Sequence, residues 1–259
     1  MNRRSFLYKS LALITSGYTG LNLLPTAVAA ENNEFIPNSE ATISLIIDDI
    51  GYSLSRARLF IELDVPITFS ILPKLSLTRD LSKEINDKGY EIMLHQPMEP
   101  RNSSIDPGPG ALFMNFGSEQ ISEIVEENIS EVPYATGVNN HMGSGYTEKQ
   151  SKMVDALKVI RDKNLFFIDS RTTDRSVAYK TARQLHMYTS SRNVFLDNNP
   201  NLHYILTQLR ILKAHAKKYG SGIAIGHPFP ETAKAIEIFI KNPANADIKL
   251  VPISKILHG

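Results

Sequence analysis

The chain contains no cysteine and no tryptophan. The first absence rules out disulfides, thiolate metal sites, a thiol nucleophile and a lipid-modified N-terminal cysteine, so any metal ion has to be held by His, Asp or Glu. The second means that a sugar-binding groove must find its stacking surfaces among Tyr and Phe. Tyr52, Tyr146, Phe113, Phe116 and Phe229 stand near predicted strand ends and suit either that role or the core. Charge of one sign is also missing: 28 basic residues against 27 acidic give a net charge of +1, and nothing in that balance points to a nucleic-acid partner. There is no glycine-rich phosphate loop, no internal repeat and no low-complexity tract. The apolar run from Leu11 to Leu24 is interrupted by polar residues and falls short of the roughly 20 residues that a membrane span requires.

Arg3-Arg4-Ser5-Phe6-Leu7, that apolar run, and Ala27-Val28-Ala29-Ala30 supply the charged, apolar and small-residue parts of a signal peptide over residues 1–30. The paired arginines resemble a twin-arginine signal, with Asn2 and Tyr8 as departures, and an ordinary secretion signal is the equal alternative. The expectation is export to the periplasm or beyond, with no stable membrane span after cleavage. Removing a segment that holds three basic residues and no acid leaves 25 basic side chains against 27 acidic ones in the mature part. Residues 31–42 read as a polar, flexible leader and residues 43–259 as one domain with its own core.

What is present from Ile43 onward is a rhythm. Apolar, β-branched runs alternate with segments of helical spacing. Strands are predicted at Ile43–Asp48, Ile67–Leu72, Glu91–His95, Ala135–Asn139, Leu165–Asp169, Met187–Ser190, Gly222–Gly226 and Lys249–Pro252. Strand, helix, strand, repeated seven or eight times, implies parallel pairing through crossovers. A closed or nearly closed (β/α)7-8 barrel of the α/β class is the natural solution at this length, with a doubly wound open sheet as the alternative. The connection from Pro97 to Gly117, with Pro-Gly-Pro-Gly at 107–110, is longer than usual and reads as a lid or binding loop. Thr172–Leu185 reads as a poorly formed helix.

The strand ends collect the chemistry: Asp48-Asp49, His95-Gln96-Pro97-Met98-Glu99, Asn139-Asn140-His141, Asp169-Ser170-Arg171 and Gly226-His227-Pro228. Taken alone, Asp48-Asp49-Ile50-Gly51 reads equally well as a turn with a helix cap. What adds weight is that His95, His141 and His227 all stand at the ends of predicted strands, whereas His186, His203, His215 and His258 fall in helical, edge or terminal contexts where a histidine is exposed or satisfied. A carboxylate and two imidazoles at one barrel mouth make an open site for Zn2+ or a similar divalent ion, with a second carboxylate free to act as base and another imidazole as acid.

Together, the Asp48-Asp49 strand end, Leu94-His95-Gln96-Pro97-Met98-Glu99-Pro100, Pro107-Gly108-Pro109-Gly110-Ala111-Leu112, Asn139-Asn140-His141-Met142-Gly143-Ser144, Phe167-Ile168-Asp169-Ser170 and Ile225-Gly226-His227-Pro228 resemble the divergent polysaccharide deacetylase family, from about Ile43 to Ile256. The resemblance implies a distorted (β/α) barrel that removes N- or O-acetyl groups from an acetylated polysaccharide or peptidoglycan-like glycan, using a divalent metal, most simply Zn2+, and no organic cofactor. It implies Asp48 as general base, Asp49 and His95 as metal ligands and His227 as the acid. In better-characterised relatives a second metal histidine follows the first by four residues; here that position is Glu99. The third ligand is then Glu99 or His141, and His141 is preferred because its strand end adjoins that of His95. Asp169 is expected to orient His227 and raise its pKa, and Arg171 to pair with Asp48. Asp197-Asn198-Asn199 ends a strand-like Asn193–Leu196 segment and is read as no more than the cap of the following helix. The competing expectations are a non-catalytic envelope protein binding a glycan or protein partner through the same barrel mouth, and a hydrolase of another acyl or ester bond.

Overall fold

The computed structural model describes residues 41–257; the expected signal segment, nearly all of the leader, and His258 lie outside the described residues. In chain order the elements are β1 (Ala41–Ile50), α1 (Leu54–Ile61), β2 (Ile67–Ile71), α2 (Thr78–Asp87), β3 (Glu91–Met98), α3 (Ser118–Glu131), β4 (Ala135–Met142), α4 (Gln150–Asp162), β5 (Phe166–Asp169), α5 (Ala178–Gln184), β6 (Thr189–Ser191), β7 (Val194–Phe195), α6 (Leu202–Tyr219), β8 (Ser221–Gly226), α7 (Pro230–Lys241) and β9 (Ile248–Leu250). Among the described residues no helix is long and apolar enough to cross a membrane.

Among the described residues every strand pairing is parallel, and the strand order is β6-β5-β4-β3-β2-β1-β8-β7. That order is the sequence order read around a circle. Each crossover therefore steps the same way, the helices all fall on one side, and the sheet curls into a half-barrel rather than reversing as a doubly wound sheet does. β6 and β7 are the two edges of the curl. The short link between them spans the gap: Arg192 N donates to Asp169 O at 3.0 Å, Asn193 N donates to Ile223 O at 2.9 Å, and Asn193 Oδ1 accepts from Ile223 N at 2.7 Å.

Alternate residues of each strand face the helices or the barrel interior. Ile43, Leu45, Ile47, Phe69, Leu94, Val138 and Phe167 join the outer core, against helix stripes such as Ile205, Leu209, Leu212 and Ala216 of α6. Ile46, Met93, Phe166, Ile168, Ile223 and Ile225 form a separate inner core with Ile253 and Ile256. These last two lie on a 3-10 turn, Ile253–Ile256, that fills the barrel floor. The turn is tied to the barrel by Ile253 N donating to Thr68 Oγ1 at 3.1 Å and Ser254 N donating to Glu91 Oε1 at 3.2 Å. The interior is narrow: a Cβ on Gly137 would lie 2.1 Å from Cε2 of Phe166, which is why that position in β4 has no side chain.

Two expectations change. The predicted strand at Lys249–Pro252 is β9, three residues that pair with the start of β1 at Ala41–Ile43 instead of serving as a barrel stave. The eighth stave is β7, two residues hidden in the Asn193–Leu196 segment. β1 itself starts at Ala41, inside the stretch expected to be leader.

Candidate metal centre and flanking acid–base groups

With Ile46 facing the interior, so does Asp48, and Asp49 should point outward. A β-bulge removes that restriction. Ile47 pairs with Phe69 and Ile50 with Ile71, so β1 carries one residue more than β2 across this step. Asp49 has φ 57°, a left-handed conformation that Asp tolerates better than most residues. Both acids therefore serve the barrel mouth.

There, Asp49 Oδ1 lies 3.2 Å from His95 Nε2 and 2.9 Å from His141 Nδ1, and the two ring nitrogens are 3.1 Å apart. His95 and His141 reach this point from neighbouring strands, in which His95 pairs with Asn139 and Pro97 with His141. Nδ1 of His95 donates to Asn139 Oδ1 at 2.7 Å, which leaves Nε2 with its lone pair directed at the cluster. Asp49 Oδ1 is buried yet accepts no well-formed hydrogen bond. Three electron-pair donors this close, one of them an orphaned buried oxygen, fit a divalent ion: ligands at 2.0–2.1 Å in a tetrahedron stand about 3.3–3.4 Å apart. Burial alone would raise the Asp49 carboxyl, but the His141 and His95 rings outweigh it and hold it well below the usual carboxylate range.

Asp48, 3% exposed, lies beside this cluster with Oδ2 3.6 Å from His95 Nε2. Burial raises its pKa, and His95, His227 and the Asn139 amide only partly oppose that. Across the mouth, His227 follows β8. Its backbone N donates to Asp197 Oδ2 at 2.6 Å and its Nδ1 to Asp197 Oδ1 at 2.9 Å, while Thr232 Oγ1 donates to Asp197 Oδ2 at 2.7 Å. Nε2 of His227 is left facing the cluster, 3.8 Å from Asp49 Oδ2. Burial pulls the His227 pKa down, but Asp197, then Asp48 and Asp49, carry it up to about 9.

The partner of His227 is thus Asp197 and not Asp169. β7 adjoins β8, so Asp197 just beyond β7 meets the turn after β8, while β5 lies on the far side of the barrel gap. Asp169 instead organises the entry to α5: it accepts from Ser176 Oγ at 2.7 Å, Tyr179 N at 3.2 Å and Arg171 N at 2.8 Å. Arg171 makes no ion pair with Asp48 among the described residues. A second arginine, Arg192, closes this edge of the site: its Nε donates to Ser170 O at 2.7 Å and its Nη2 to Arg171 O at 2.8 Å, and the Phe195 ring lies beneath its guanidinium. Nothing in the sequence pattern singled it out.

Glu99 stands apart from the three-group cluster. Its Oε2 accepts from Met114 N at 2.6 Å, and its carbonyl accepts from Gly145 N and Tyr146 N. It ties down the long loop that follows it. Gln96 and Asn128 do the same through the Gly110 carbonyl, at 2.9 and 2.7 Å, so the Pro97–Gly117 connection is pinned to the barrel rather than hung as a free lid. Tyr146 is fully buried and belongs to the core, whereas Tyr52 is 66% exposed. Tyr52 and Phe229, with Arg56, Asp49 and His227, line a cavity of about 230 Å3 beside the cluster.

Residues 45–257 match the family model described as divergent polysaccharide deacetylase. An uncharacterised protein of Haemophilus influenzae is 32% identical over 213 residues, spanning 82% of this chain and 75% of that one. An uncharacterised protein of Agrobacterium tumefaciens has the same fold, with a TM-score of 0.79 at 21% identity over 83% of this chain and 89% of that one. The catalytic domain of a peptidoglycan N-acetylglucosamine deacetylase from Eubacterium rectale shares the fold more distantly, with a TM-score of 0.52 at 13% identity over 82% and 88% of the two chains. Half-barrel, strand-end residues and relatives agree, and the chain belongs to the divergent polysaccharide deacetylase family.

Proposed function

We propose that this protein is a metal-dependent hydrolase that removes acetyl groups from an envelope or extracellular glycan, and that residues 1–30 export it there. The observation that carries the reading is the convergence of Asp49, His95 and His141 between a buried carboxylate, Asp48, and an imidazole held by its own carboxylate, His227. A divalent ion at the cluster, Zn2+ being the simplest choice, supplies a Lewis acid for the acyl carbonyl and lowers the pKa of water.

The chain's own groups do the rest. Asp48 takes the proton of the attacking water, and its burial, by raising its pKa, makes it a better base near neutral pH. Asn139 Nδ2 fixes one Asp48 oxygen at 2.8 Å and leaves the other for that proton. His227 carries its proton on Nε2 toward the departing amine, while Asp197 on Nδ1 fixes the ring and stabilises its charged form. As the C–N bond breaks, the amine takes that proton and acetate leaves. Positioned acid–base groups of this kind contribute about 10²–10⁴-fold each.

The test is acetate release from acetylated glycans by the purified mature protein, with metal content measured in parallel for wild type and His141→Ala. Near-stoichiometric metal in wild type, lost in the variant, together with acetate release that a chelator abolishes, supports the reading. Wild-type protein that takes up no Zn2+ yet binds glycans without turnover makes it an envelope-binding protein instead.

A further inference from the structure

The cavity beside the cluster contains a cation with no carboxylate partner. Arg56, on the first turns of α1, lines it with Tyr52, Phe229, Asp49 and His227. Its Nη1 donates to Pro228 O at 3.4 Å, which rests the guanidinium on the turn that carries His227. Among the described residues no carboxylate pairs with it. Two residues on, the same helix shows the usual outcome, with Arg58 bidentate on Glu84 at 2.9 and 3.3 Å. Ser53, also in the lining, is committed: its Oγ accepts from Arg56 N as the helix cap and meets Ser55 Oγ. Arg56, an exposed side chain, is therefore the cation of this lining left to meet an anionic group of a ligand, beside the Tyr52 phenol and Nε2 of His227.

The orientation of His227 determines which part of a ligand Arg56 meets. Nδ1 of His227 is taken by Asp197, so the amine leaving the acyl group must lie against Nε2. Nε2 belongs to a residue that lines this cavity, so the sugar bearing the amine enters it, between aromatic side chains suited to a pyranose face. A substituent close to the amine on that sugar, or on its neighbour, then comes within reach of the guanidinium. The planar fork of arginine matches a carboxylate, which it binds through two parallel charge-assisted hydrogen bonds.

We infer that the substrate is an acetylated amino sugar carrying a carboxylate near its acetamide, and that Arg56 is the specificity-determining residue that reads it. The inference rests on the deacetylase reading and deepens it. The carboxylate has two possible sources, an ether-linked acid on the amino sugar itself or an adjoining uronic acid.

The experiment compares three acetylated oligosaccharides of equal length on the metal-loaded full chain: a neutral N-acetylglucosamine oligomer, a peptidoglycan saccharide bearing lactyl-ether carboxylates, and an N-acetylhexosamine–uronic acid oligomer. The reading is the ratio of kcat/KM for each carboxylated glycan over the neutral one. We expect the ratio to exceed one in wild type for one of the two acids, identifying the source. It should fall about tenfold or more in Arg56→Ala, through KM, and recover partly in Arg56→Lys. A ratio that Arg56→Ala leaves unchanged overturns the inference. If no glycan yields acetate, the deacetylase reading fails, and calorimetric binding of the same glycans decides the inference separately. A preference for a carboxylated glycan that Arg56→Ala removes keeps it; equal or absent binding overturns it.

Discussion

The amide of Asn139 donates to Oδ1 of Asp48 at 2.8 Å. The same side chain accepts from Nδ1 of His95 at 2.7 Å and from the Ser70 hydroxyl at 2.5 Å, so a single buried asparagine holds the proposed base and one ligand of the cluster in register. Asn139→Ala leaves three buried polar groups short of a partner, at about 1–3 kcal/mol each before relaxation. We expect a stability loss of about 2–4 kcal/mol in urea unfolding, together with weaker metal uptake. A variant as stable as wild type with unaltered metal affinity would show that the network does not position these groups.

Metal binding should itself stabilise the fold, because the three donors come from β1, β3 and β4 and meet only when these strands are assembled. At 100 times its Kd the ion adds about 2.7 kcal/mol. Thermal unfolding of wild type should rise with added Zn2+ and fall with chelator, whereas His141→Ala should respond weakly. Equal shifts in both proteins would place the metal elsewhere.

His227 gives a pH signature with a definite sign. Its folded pKa, about 9, lies above the unfolded value of 6.5, so its contribution to stability is fully present below 6.5 and is lost as pH rises through 9. The contribution is at most about 3 kcal/mol. Asp197→Asn should remove most of it, since Asp197 is the leading cause of the upward shift. Titration of the His227 ring by NMR in metal-free protein, with unfolding measured at pH 6 and pH 10, checks both halves. A midpoint below 6.5 in wild type contradicts the account.

The narrow barrel interior predicts a specific rescue. Gly137→Ala places a methyl against the Phe166 ring and should cost about 1–3 kcal/mol. In the Gly137→Ala/Phe166→Ala double variant the loss assigned to Gly137 should shrink, and a thermal-melt double-mutant cycle measures that coupling. Strictly additive losses would mean the two sites do not collide.

The strand rhythm and the residues at the strand ends were legible because burial on both faces demands continuous apolar runs, and Asp48, Asp49, His95, His141 and His227 interrupt them at the same end. Asp197 was not legible as the partner of His227. β7 is two residues long, too short for any periodicity, and only its pairing with β8 brings the two together. Arg192 was missed because its partners, the carbonyls of Ser170 and Arg171, follow β5, and only the pairing of β5 with the three-residue β6 brings them beside it. The bulge that turns Asp49 inward follows from register, which a single strand does not display. Glu99 was read as a possible ligand because the family resemblance places a second metal histidine at that position, but the structure shows its carboxylate holding Met114 N.

The placement of β1 has a consequence for how the chain is made. It pairs with β2 soon after synthesis, but its other neighbour comes late: Thr42 Oγ1 meets Gly220 O across 178 residues, and Ile253 N on the floor turn meets Thr68 Oγ1 across 185. Until β8 emerges from the ribosome, the central strand has one bare hydrogen-bonding edge and an open apolar interior. Contacts this distant in sequence make folding slow, and such an edge invites pairing with other chains. The barrel can close only after β8 and the floor turn have been made, and until then the exposed edge and interior are open to a chaperone.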